Sequence, residues 1–459
     1  MTNGFEFMKL RTERLPESWQ EAGALAELEQ FLQEDWRQRA VFYRDGQVAG
    51  RQQFIDFDRK NGIKLQNYVG TILFRGGQLN IFPKIFKEDE DDFDGADLTP
   101  EDLIKNLVYW LGYCDRLHFP FLSVKSQLCH AENLLELFIT VYAHYVKAAV
   151  DWQRYYQYEE IREKGTIIKG RINFNTYARN YASGYPHYLD YTCAGFVFDN
   201  QMNRIIKCTC QYLLNLTCQE GTKQILRNIL MKLGDVASRM CRPADCDGVH
   251  LNLLRSDYRM ILSMSRMFLL NQTASCRTGM ADTFCFLFPA EMLFEGFLSG
   301  FIKEMFQETA RVRTQTGDQY LASLVVDGEN LGDVFRLRED ILLESEYGTV
   351  VVDAKYKEID RFRKVKENRK LKVSDNDVKQ MAVYAARRGA GKLFLIYPLH
   401  RNEEPETMEV RYDINLGADG TSDCIPMEIL KVPFALRESE EKTGELLRVI
   451  LGKMNHTLQ

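Results

Sequence analysis

The stretch Leu337–Lys357, LREDILLESEYGTVVVDAKYK, decides the fold of the C-terminal part of the chain. It predicts two β-strands joined by a turn, because the β-branched apolar run Thr349–Val352 is typical of a strand buried in a sheet. Asp353 and Lys355 follow this run at i, i+2 spacing, so both side chains are expected on the same face of the strand. Asp340 begins the first strand and is expected to approach them across the hairpin.

Two carboxylates buried beside a lysine are unfavourable unless another group compensates their charge. A divalent cation is the natural compensation: Asp oxygens suit Mg²⁺, which keeps several waters and binds through one or two carboxylates together with substrate phosphate. Asp340 and Asp353 are therefore candidate Mg²⁺ ligands. Lys355 is placed to orient or deprotonate an attacking water and to offset charge on phosphorus. The alternative is an ordinary solvated ion pair at an exposed strand end.

Two predicted helices flank the hairpin. Upstream, Phe284–Phe306 is predicted to be an amphipathic helix, and Glu295 lies in its otherwise apolar run MLFEGF. The alternative for this residue is an ordinary exposed glutamate. Downstream, a helix is predicted over Asp377–Tyr384, which places Gln380 and Tyr384 on one face at i, i+4 spacing.

The order of the predicted elements is helix, strand, strand, helix, strand, and the last strand is Lys392–Pro398, which ends at a proline. Together with the D…DxK spacing, this order resembles the core of the PD-(D/E)xK nucleases. The resemblance implies a metal-dependent nuclease domain over residues 280–459. The candidate catalytic residues are Asp340, Asp353, Lys355, Glu295, Gln380 and Tyr384, and the candidate metal ligands are Asp340, Asp353 and Glu295.

Length, charge and composition narrow the class of protein. The chain has 459 residues, which predicts two or three domains. The formal net charge of -6 argues against a protein that coats DNA without specificity, although it allows a local basic groove. No apolar run approaches the length of a membrane span, and no signal peptide is expected. The 11 cysteines lie mostly in apolar or helical contexts, which favours reduced thiols and a cytoplasmic location.

Residues 1–99 are predicted to form a β-rich module with an acidic linker. Strands are expected over Val41–Phe57 and Ile63–Phe86, and Arg75-Gly-Gly77 indicates a tight hairpin within the second of these stretches. The acidic run Lys87–Asp102 is expected to be a solvated linker. Nothing in this module points to catalysis, so docking or recognition is its expected role.

Residues 100–279 are predicted to be mainly helical and to dock a partner. The clearest helices are Glu101–Leu117, Leu134–Tyr156 and Asn203–Leu216. Between the second and the third lies the basic, glycine-punctuated segment Glu163–Asn173. This segment is either a turn between packed elements or a surface inserted into a partner.

Several short motifs occur in the order found in one known family. They are Glu163-Lys-Gly165, Lys169-Gly-Arg-Ile-Asn173, Phe198-Asp-Asn200, Asn203-Arg-Ile-Ile-Lys207, Leu293-Phe-Glu295, Leu337-Arg-Glu-Asp340, Val351-Val-Asp-Ala-Lys-Tyr356, Gln380-Met-Ala-Val-Tyr384 and Ile396-Tyr-Pro398. In order and spacing they resemble the McrC family, the nuclease subunit of the McrBC modified-cytosine restriction system. The sequence departs from the family pattern at one position. The residue before the first metal-site aspartate is Glu339 rather than proline, and this position varies within the family.

The resemblance implies a partner and a substrate. McrC acts with McrB, a hexameric AAA+ GTPase that recognises and translocates methylated double-stranded DNA. This chain has no G-x-x-x-x-G-K-[ST] loop, because Gly389-Ala-Gly-Lys392 lacks the spacing and predicts a helix stop. Nucleotide chemistry is therefore expected from an McrB-like chain. The expected contact that stimulates this GTPase is the basic segment at Lys164, Lys169 and Arg171.

The segment Lys355–Lys372 is the candidate DNA-binding surface. It carries nine Lys or Arg residues against three acidic ones and leaves the predicted active-site strand directly. Such charges position a phosphate backbone without reading sequence. The alternative is a solvated, mobile loop. The candidate DNA-binding residues are Lys357, Arg361, Arg363, Lys364, Lys366 and Arg369.

The sequence thus predicts a multidomain α/β protein with a β-rich N-terminal module, a helical middle region and a C-terminal PD-(D/E)xK nuclease-like domain. The predicted function is Mg²⁺-dependent cleavage of methylated DNA within a GTP-driven restriction complex, together with stimulation of the partner GTPase. Two alternatives stay open: a non-cleaving regulator that anchors the GTPase ring, and a stand-alone nuclease of the same fold that works without a motor.

Overall fold

The structure is a computed structural model. It describes residues 2–38, 52–58, 62–87, 99–114, 134–249, 251, 255–278, 283–416 and 424–454. Three sequence predictions fall partly outside these residues. They are the strand that was expected to begin at Val41, the acidic linker, of which residues 88–98 are not described, and the helix predicted over Glu101–Leu117, of which residues 115–117 are not described.

The described residues form ten α-helices and 18 strands. The helices are α1 (Ala24–Gln38), α2 (Pro100–Tyr113), α3 (Leu134–Trp152), α4 (Phe174–Ala182), α5 (Gln201–Leu216), α6 (Glu220–Lys232), α7 (Ser256–Thr278), α8 (Ala290–Phe306), α9 (Asp375–Arg388) and α10 (Glu440–Leu451). The strands are β1 (Thr2–Phe5), β2 (Lys9–Leu10), β3 (Ile55–Asp58), β4 (Gly62–Leu65), β5 (Tyr68–Phe74), β6 (Gly77–Phe82), β7 (Gln157–Gly165), β8 (Arg171–Ile172), β9 (Leu189–Val197), β10 (Phe284–Pro289), β11 (Arg311–Thr316), β12 (Tyr320–Val326), β13 (Glu329–Arg336), β14 (Glu339–Ser345), β15 (Gly348–Ala354), β16 (Lys392–Leu399), β17 (Val410–Asn415) and β18 (Cys424–Pro433). Within the described ranges, no helix is both long and apolar enough to cross a membrane.

The chain divides into two compact units, Met1–Lys125 with Phe284–Gln459, and Ser126–Thr283. The first unit combines N-terminal and C-terminal residues because β10 pairs antiparallel with β5, with Phe284 opposite Leu73. The resulting sheet has the order β1-β6-β5-β10. Residues from the predicted first and third regions therefore share one sheet.

A six-stranded sheet of order β11-β14-β15-β16-β18-β17 forms the centre of the C-terminal part. β14 and β15 make the predicted hairpin, in which Ile341 pairs with Val352. β15, β16 and β18 run parallel to one another, with Val352 opposite Phe394. The structure confirms the two predicted hairpin strands and the predicted strand at Lys392–Pro398. It also confirms the helix predicted over Asp377–Tyr384, which is part of α9. α9 packs on the sheet through Met381 and neighbouring apolar residues.

The segment Phe284–Phe306, predicted as one helix, is a strand followed by a helix. Its first six residues form β10, and α8 begins at Ala290 with Pro289 as its N-cap. The prediction was wrong for this part because a short continuous apolar run satisfies strand and helix patterns alike. Pairing with β5 decides in favour of the strand.

The tight hairpin predicted at Arg75-Gly-Gly77 is confirmed between β5 and β6. Arg75 and Gly76 have φ angles of 50° and 70°. Two successive positive φ values are what a type I′ turn requires, and this turn matches the twist of antiparallel strands.

The second unit contains α3 to α7 and a small sheet of order β7-β9-β8. The basic segment Glu163–Asn173 is therefore not only a loop, because it includes the end of β7 and all of β8. The sequence predicted mainly helices here. The strands were missed because side chains along β7 alternate between exposed and partly buried with few apolar residues among them.

Candidate active site

The end of the β14–β15 hairpin that lies opposite its turn brings together Asp340, Asp353 and Lys355. The pairing of Ile341 with Val352 brings Asp340, one residue earlier, opposite Asp353. The Lys355 ammonium lies 2.6 Å from Asp353 Oδ2. The backbone N–H of Ala354 donates a hydrogen bond to Asp340 Oδ2 at 2.9 Å. The three side chains singled out in the sequence are thus in one place.

The carboxylates of this cluster sit in an environment that disfavours their charge. Asp353 is only 1% exposed. Its pKa is raised to about 7, mainly by burial and next by the charge of Asp340, while Lys355 opposes the rise. Burial likewise raises the pKa of Asp340 to about 7, with Glu295 as the next contributor. Glu295 therefore lies near Asp340.

The donor set fits Mg²⁺. Asp353 Oδ2 has an ammonium group beside it but receives no hydrogen bond of normal geometry from any described residue. The described Asp, Glu, His and Cys side chains include no ready-made cluster of three metal donors, and Glu295 Oε1 accepts a hydrogen bond from the Gln315 amide. The two aspartates are thus the core of the candidate site. A set of two carboxylates suits Mg²⁺, which usually keeps several of its waters, better than a metal that needs a closed protein cage.

α9 supports the site through a chain of hydrogen bonds. Lys355 Nζ donates to Gln380 Oε1 at 3.1 Å, and Gln380 Nε2 donates to the Tyr384 hydroxyl at 2.5 Å. The hydroxyl in turn donates to the carbonyl of Arg338 at 2.6 Å. The two α9 side chains predicted from their i, i+4 spacing therefore connect the lysine to the start of β14.

Two of the six predicted DNA-binding residues are engaged within the protein. Lys357 Nζ contacts both oxygens of Asp377 at 3.0 and 2.9 Å. Arg361 Nε lies 3.7 Å from Glu403. The remaining four are exposed and form no ion pair with any residue in the described part of the chain; they are Arg363, Lys364, Lys366 and Arg369.

These four residues lie on an anchored segment. Phe362–Lys366 is a 3-10 helix whose first residue is buried. Glu406 accepts the backbone N–H of Phe362 at 2.5 Å, and the Arg369 carbonyl accepts the Tyr412 hydroxyl at 2.9 Å. The segment therefore presents its cations from a position fixed by the fold.

Comparison with known families decides the identity of the chain. A sequence model of the family described as "McrBC 5-methylcytosine restriction system component" matches residues 63–398. The chain belongs to this McrBC family. The McrC family membership predicted from the motifs is confirmed.

Solved structures from the McrBC system are also similar. One chain, from a refined half-complex of a tetradecameric assembly of Thermococcus gammatolerans McrB AAA+ hexamers with bound McrC, aligns with a TM-score of 0.60 at 16% identity. The alignment covers 98% of this chain and 99% of that chain, so the fold is shared over nearly the whole length. Another, from the cryo-EM structure of the T. gammatolerans McrBC complex, has a TM-score of 0.48 at 17% identity and covers 68% of this chain and 89% of that chain. No curated protein matches the sequence.

The departure from the McrC pattern at Glu339 has a structural explanation. Glu339 is fully buried, and Arg388 holds it through Nε to Oε1 and Nη2 to Oε2, both at 2.9 Å. The Thr316 hydroxyl donates to Glu339 Oε2 at 2.5 Å, and Asp318 lies 2.5 Å from Arg388 Nη2. This ion pair fixes the residue directly before Asp340.

Sequence reasoning missed Arg388, although a signal was present. Gln380, Tyr384 and Arg388 follow one another at four-residue spacing, so all three lie on one face of α9. A lone glutamate at the start of a buried strand needs a cation. The face of α9 already assigned to the site contains that cation.

The predicted partner-binding residues of this McrBC family member belong to the second compact unit. Lys164 lies on β7, Arg171 lies on β8, and Lys169 lies in the connection between these strands. All three side chains are exposed. The small sheet therefore presents them to solvent.

Proposed function

We propose that this chain is the Mg²⁺-dependent DNA endonuclease subunit of a GTP-driven, modification-dependent restriction complex. The observation that carries the proposal is the convergence of Asp340, Asp353 and Lys355, with the ammonium 2.6 Å from a buried carboxylate oxygen. Family membership gives the restriction context. The reaction is hydrolysis of a phosphodiester bond in methylated double-stranded DNA.

Each residue of the site has a role in this reaction. Asp340 and Asp353 would hold Mg²⁺, with Glu295 completing the set, and the bound ion would polarise the phosphate and acidify a water. Burial lowers the pKa of Lys355, but the neighbouring aspartates raise it more, so it stands above its ordinary value. Lys355 therefore acts as a cation that orients the attacking water and offsets charge on phosphorus, rather than as a base.

The partner in this proposal is an McrB-like AAA+ GTPase hexamer. A similar solved structure is a complex of McrB AAA+ hexamers with bound McrC. In this chain, Gly389 is the left-handed C-cap of α9, with φ 61° and ψ 37°, so the Gly389–Lys392 stretch is a helix stop rather than a phosphate-binding loop. The exposed residues Lys164, Lys169 and Arg171 are the proposed contact that stimulates the GTPase.

The test is cleavage of methylated plasmid by this chain with its McrB-like GTPase, with and without Mg²⁺ and GTP. We expect Asp353→Asn to abolish cleavage, because it removes a metal-binding charge and the partner of Lys355. Stimulation of the GTPase should persist, because its proposed contact is Lys164, Lys169 and Arg171. Asp413→Asn is the matched control, since this aspartate is exposed on β17. Cleavage by Asp353→Asn at the wild-type rate would overturn the proposed site. Stimulated GTP hydrolysis without any cleavage would favour the regulator, and cleavage without the partner would favour a stand-alone nuclease.

A further inference from the structure

Tyr356, the residue after Lys355, is held by two residues from the N-terminal part of the chain. Its hydroxyl donates a hydrogen bond to Glu6 Oε2 at 2.7 Å, and its carbonyl accepts one from Lys84 Nζ at 3.2 Å. The Lys84 ammonium also lies 4.7 Å from the centre of the tyrosine ring, within the range of a cation–π contact. Glu6 Oε2 accepts a hydrogen bond from the backbone N–H of Lys84 at 2.9 Å, so each of these three residues contacts the other two.

Tyr356 and Glu6 of this cluster are buried, and Lys84 is partly buried. Tyr356 is 5% exposed and Glu6 is 4% exposed. Phe294 and Phe434 lie beside the tyrosine ring, with ring centroids at 5.8 and 6.0 Å. Burial raises the pKa of Glu6 to about 7, although its bonds to Tyr356 and Lys84 oppose the rise. A carboxylate in such surroundings costs more free energy than an apolar or amide side chain that fills the same space. Its presence therefore points to a role beyond packing.

The cluster lies where regular strand pairing ends. β15 ends at Ala354. Beyond it, the Lys355 N–H donates to the carbonyl of Ile396 at 2.8 Å, and the Lys355 carbonyl accepts the N–H of Lys357 at 2.8 Å in a tight turn. Tyr356 lies inside this turn, directly after Lys355. Holding Tyr356 therefore fixes the backbone from which the lysine reaches the carboxylates.

We propose that Glu6 and Lys84 are positioning residues of the active site, which act through Tyr356 on the placement of Lys355. The N-terminal sheet is then part of the nuclease rather than only a docking module. This inference rests on the proposed function, because Lys355 needs a defined position only if it acts in cleavage. Neither residue touches the reacting atoms.

The test measures DNA cleavage by the full complex with Glu6→Ala, Lys84→Met and Tyr356→Phe. We expect kcat to fall on the order of tenfold or more, because small misplacements of a catalytic group slow the chemical step strongly. The apparent KM for DNA and the stimulation of GTP hydrolysis should stay at wild-type values. Glu6→Gln should restore most of the turnover, since an amide oxygen can accept the same two hydrogen bonds. Tyr347→Phe is the matched control, because this tyrosine is 70% exposed in the β14–β15 turn.

The outcomes separate this inference from the proposed function. A wild-type complex that cuts no DNA overturns the proposed function and the inference with it. If the wild type cuts and Asp353→Asn does not, unchanged kcat in both Tyr356→Phe and Glu6→Ala overturns only the positioning role. Tyr356→Phe keeps the ring and its packing, so it guards against a variant that simply fails to fold. Amide hydrogen exchange of the peptide around Tyr356 supplies a second readout, and faster exchange in Glu6→Ala is expected.

Discussion

The proposed catalytic role of Lys355 can be tested directly by substitution. Its ammonium contacts Asp353 at 2.6 Å and Gln380 at 3.1 Å. We expect Lys355→Ala to lower the single-turnover cleavage rate by roughly 10²- to 10³-fold, the range for removal of one preorganised group that stabilises developing charge. Lys379→Ala is the matched control, because this lysine is exposed on α9. Equal rates in the two variants would contradict a catalytic role for Lys355.

Arg388 and Glu339 provide a prediction about stability. Arg388→Met leaves Glu339 buried without its cation, so the free energy of unfolding should fall by about 3–5 kcal/mol. The double variant Glu339→Met/Arg388→Met removes both charges and should be less destabilised than the single one. Urea unfolding of wild type, Arg388→Met, Glu339→Met and the double variant measures the differences. Losses that simply add would show that the two residues are not coupled.

The face of α9 shows which part of the site sequence can predict. Gln380 and Tyr384 were identified because a helix places residues four apart on one face. Arg388 continues the same face but was not identified, because its role depends on Glu339, and the burial of Glu339 depends on strands far along the chain. Local spacing therefore predicted the near members of the site, and tertiary packing determined the far one.

The basic segment Arg363–Arg369 provides a prediction at the scale of an element. Neutralising Arg363, Lys364, Lys366 and Arg369 together should weaken binding to double-stranded DNA, because these cations are exposed and unpaired among the described residues. The slope of log affinity against log salt should fall by about one per phosphate contact removed. Fluorescence anisotropy across a salt series measures both quantities.

The matched control for this segment is the double variant Lys370→Gln/Lys372→Gln. These two lysines lie close by and are as exposed, but each pairs with an aspartate, Asp375 and Asp360 respectively. We expect a smaller change in the salt slope per charge removed. If the control weakened DNA binding as much per charge as the first variant, net charge rather than this surface would account for the effect.

At the scale of the whole molecule, the arrangement of regions was the feature least accessible from sequence. The hairpin at Arg75 and the strands at Asp340 and Asp353 follow from local patterns. The pairing of β5 with β10 does not, because it joins segments more than 200 residues apart, such as Leu73 and Phe284. The same long-range packing brings Glu6 to Tyr356.

Glu6 should also leave a signature in the pH dependence of stability. Burial raises its pKa from 4.5 to about 7 in the folded protein. A folded-state pKa above the unfolded value means that the folded state binds the proton more tightly. The stabilising contribution is therefore complete below pH 4.5 and is lost as the pH rises through 7. Glu6→Gln should remove this dependence, because the amide does not ionise.

The measurement is thermal unfolding of wild type and Glu6→Gln between pH 5 and pH 8. The variant should gain stability relative to wild type as the pH rises, by at most about 3 kcal/mol across the range, because one pKa unit corresponds to about 1.4 kcal/mol. Asp340 and Asp353 add pH dependence of the same sign, since burial raises their pKa values too, but they are unchanged in both proteins and cancel in the difference. Glu17→Gln, at an exposed glutamate, is the matched control. A difference that stayed constant from pH 5 to pH 8 would show that Glu6 does not hold its proton in the folded protein.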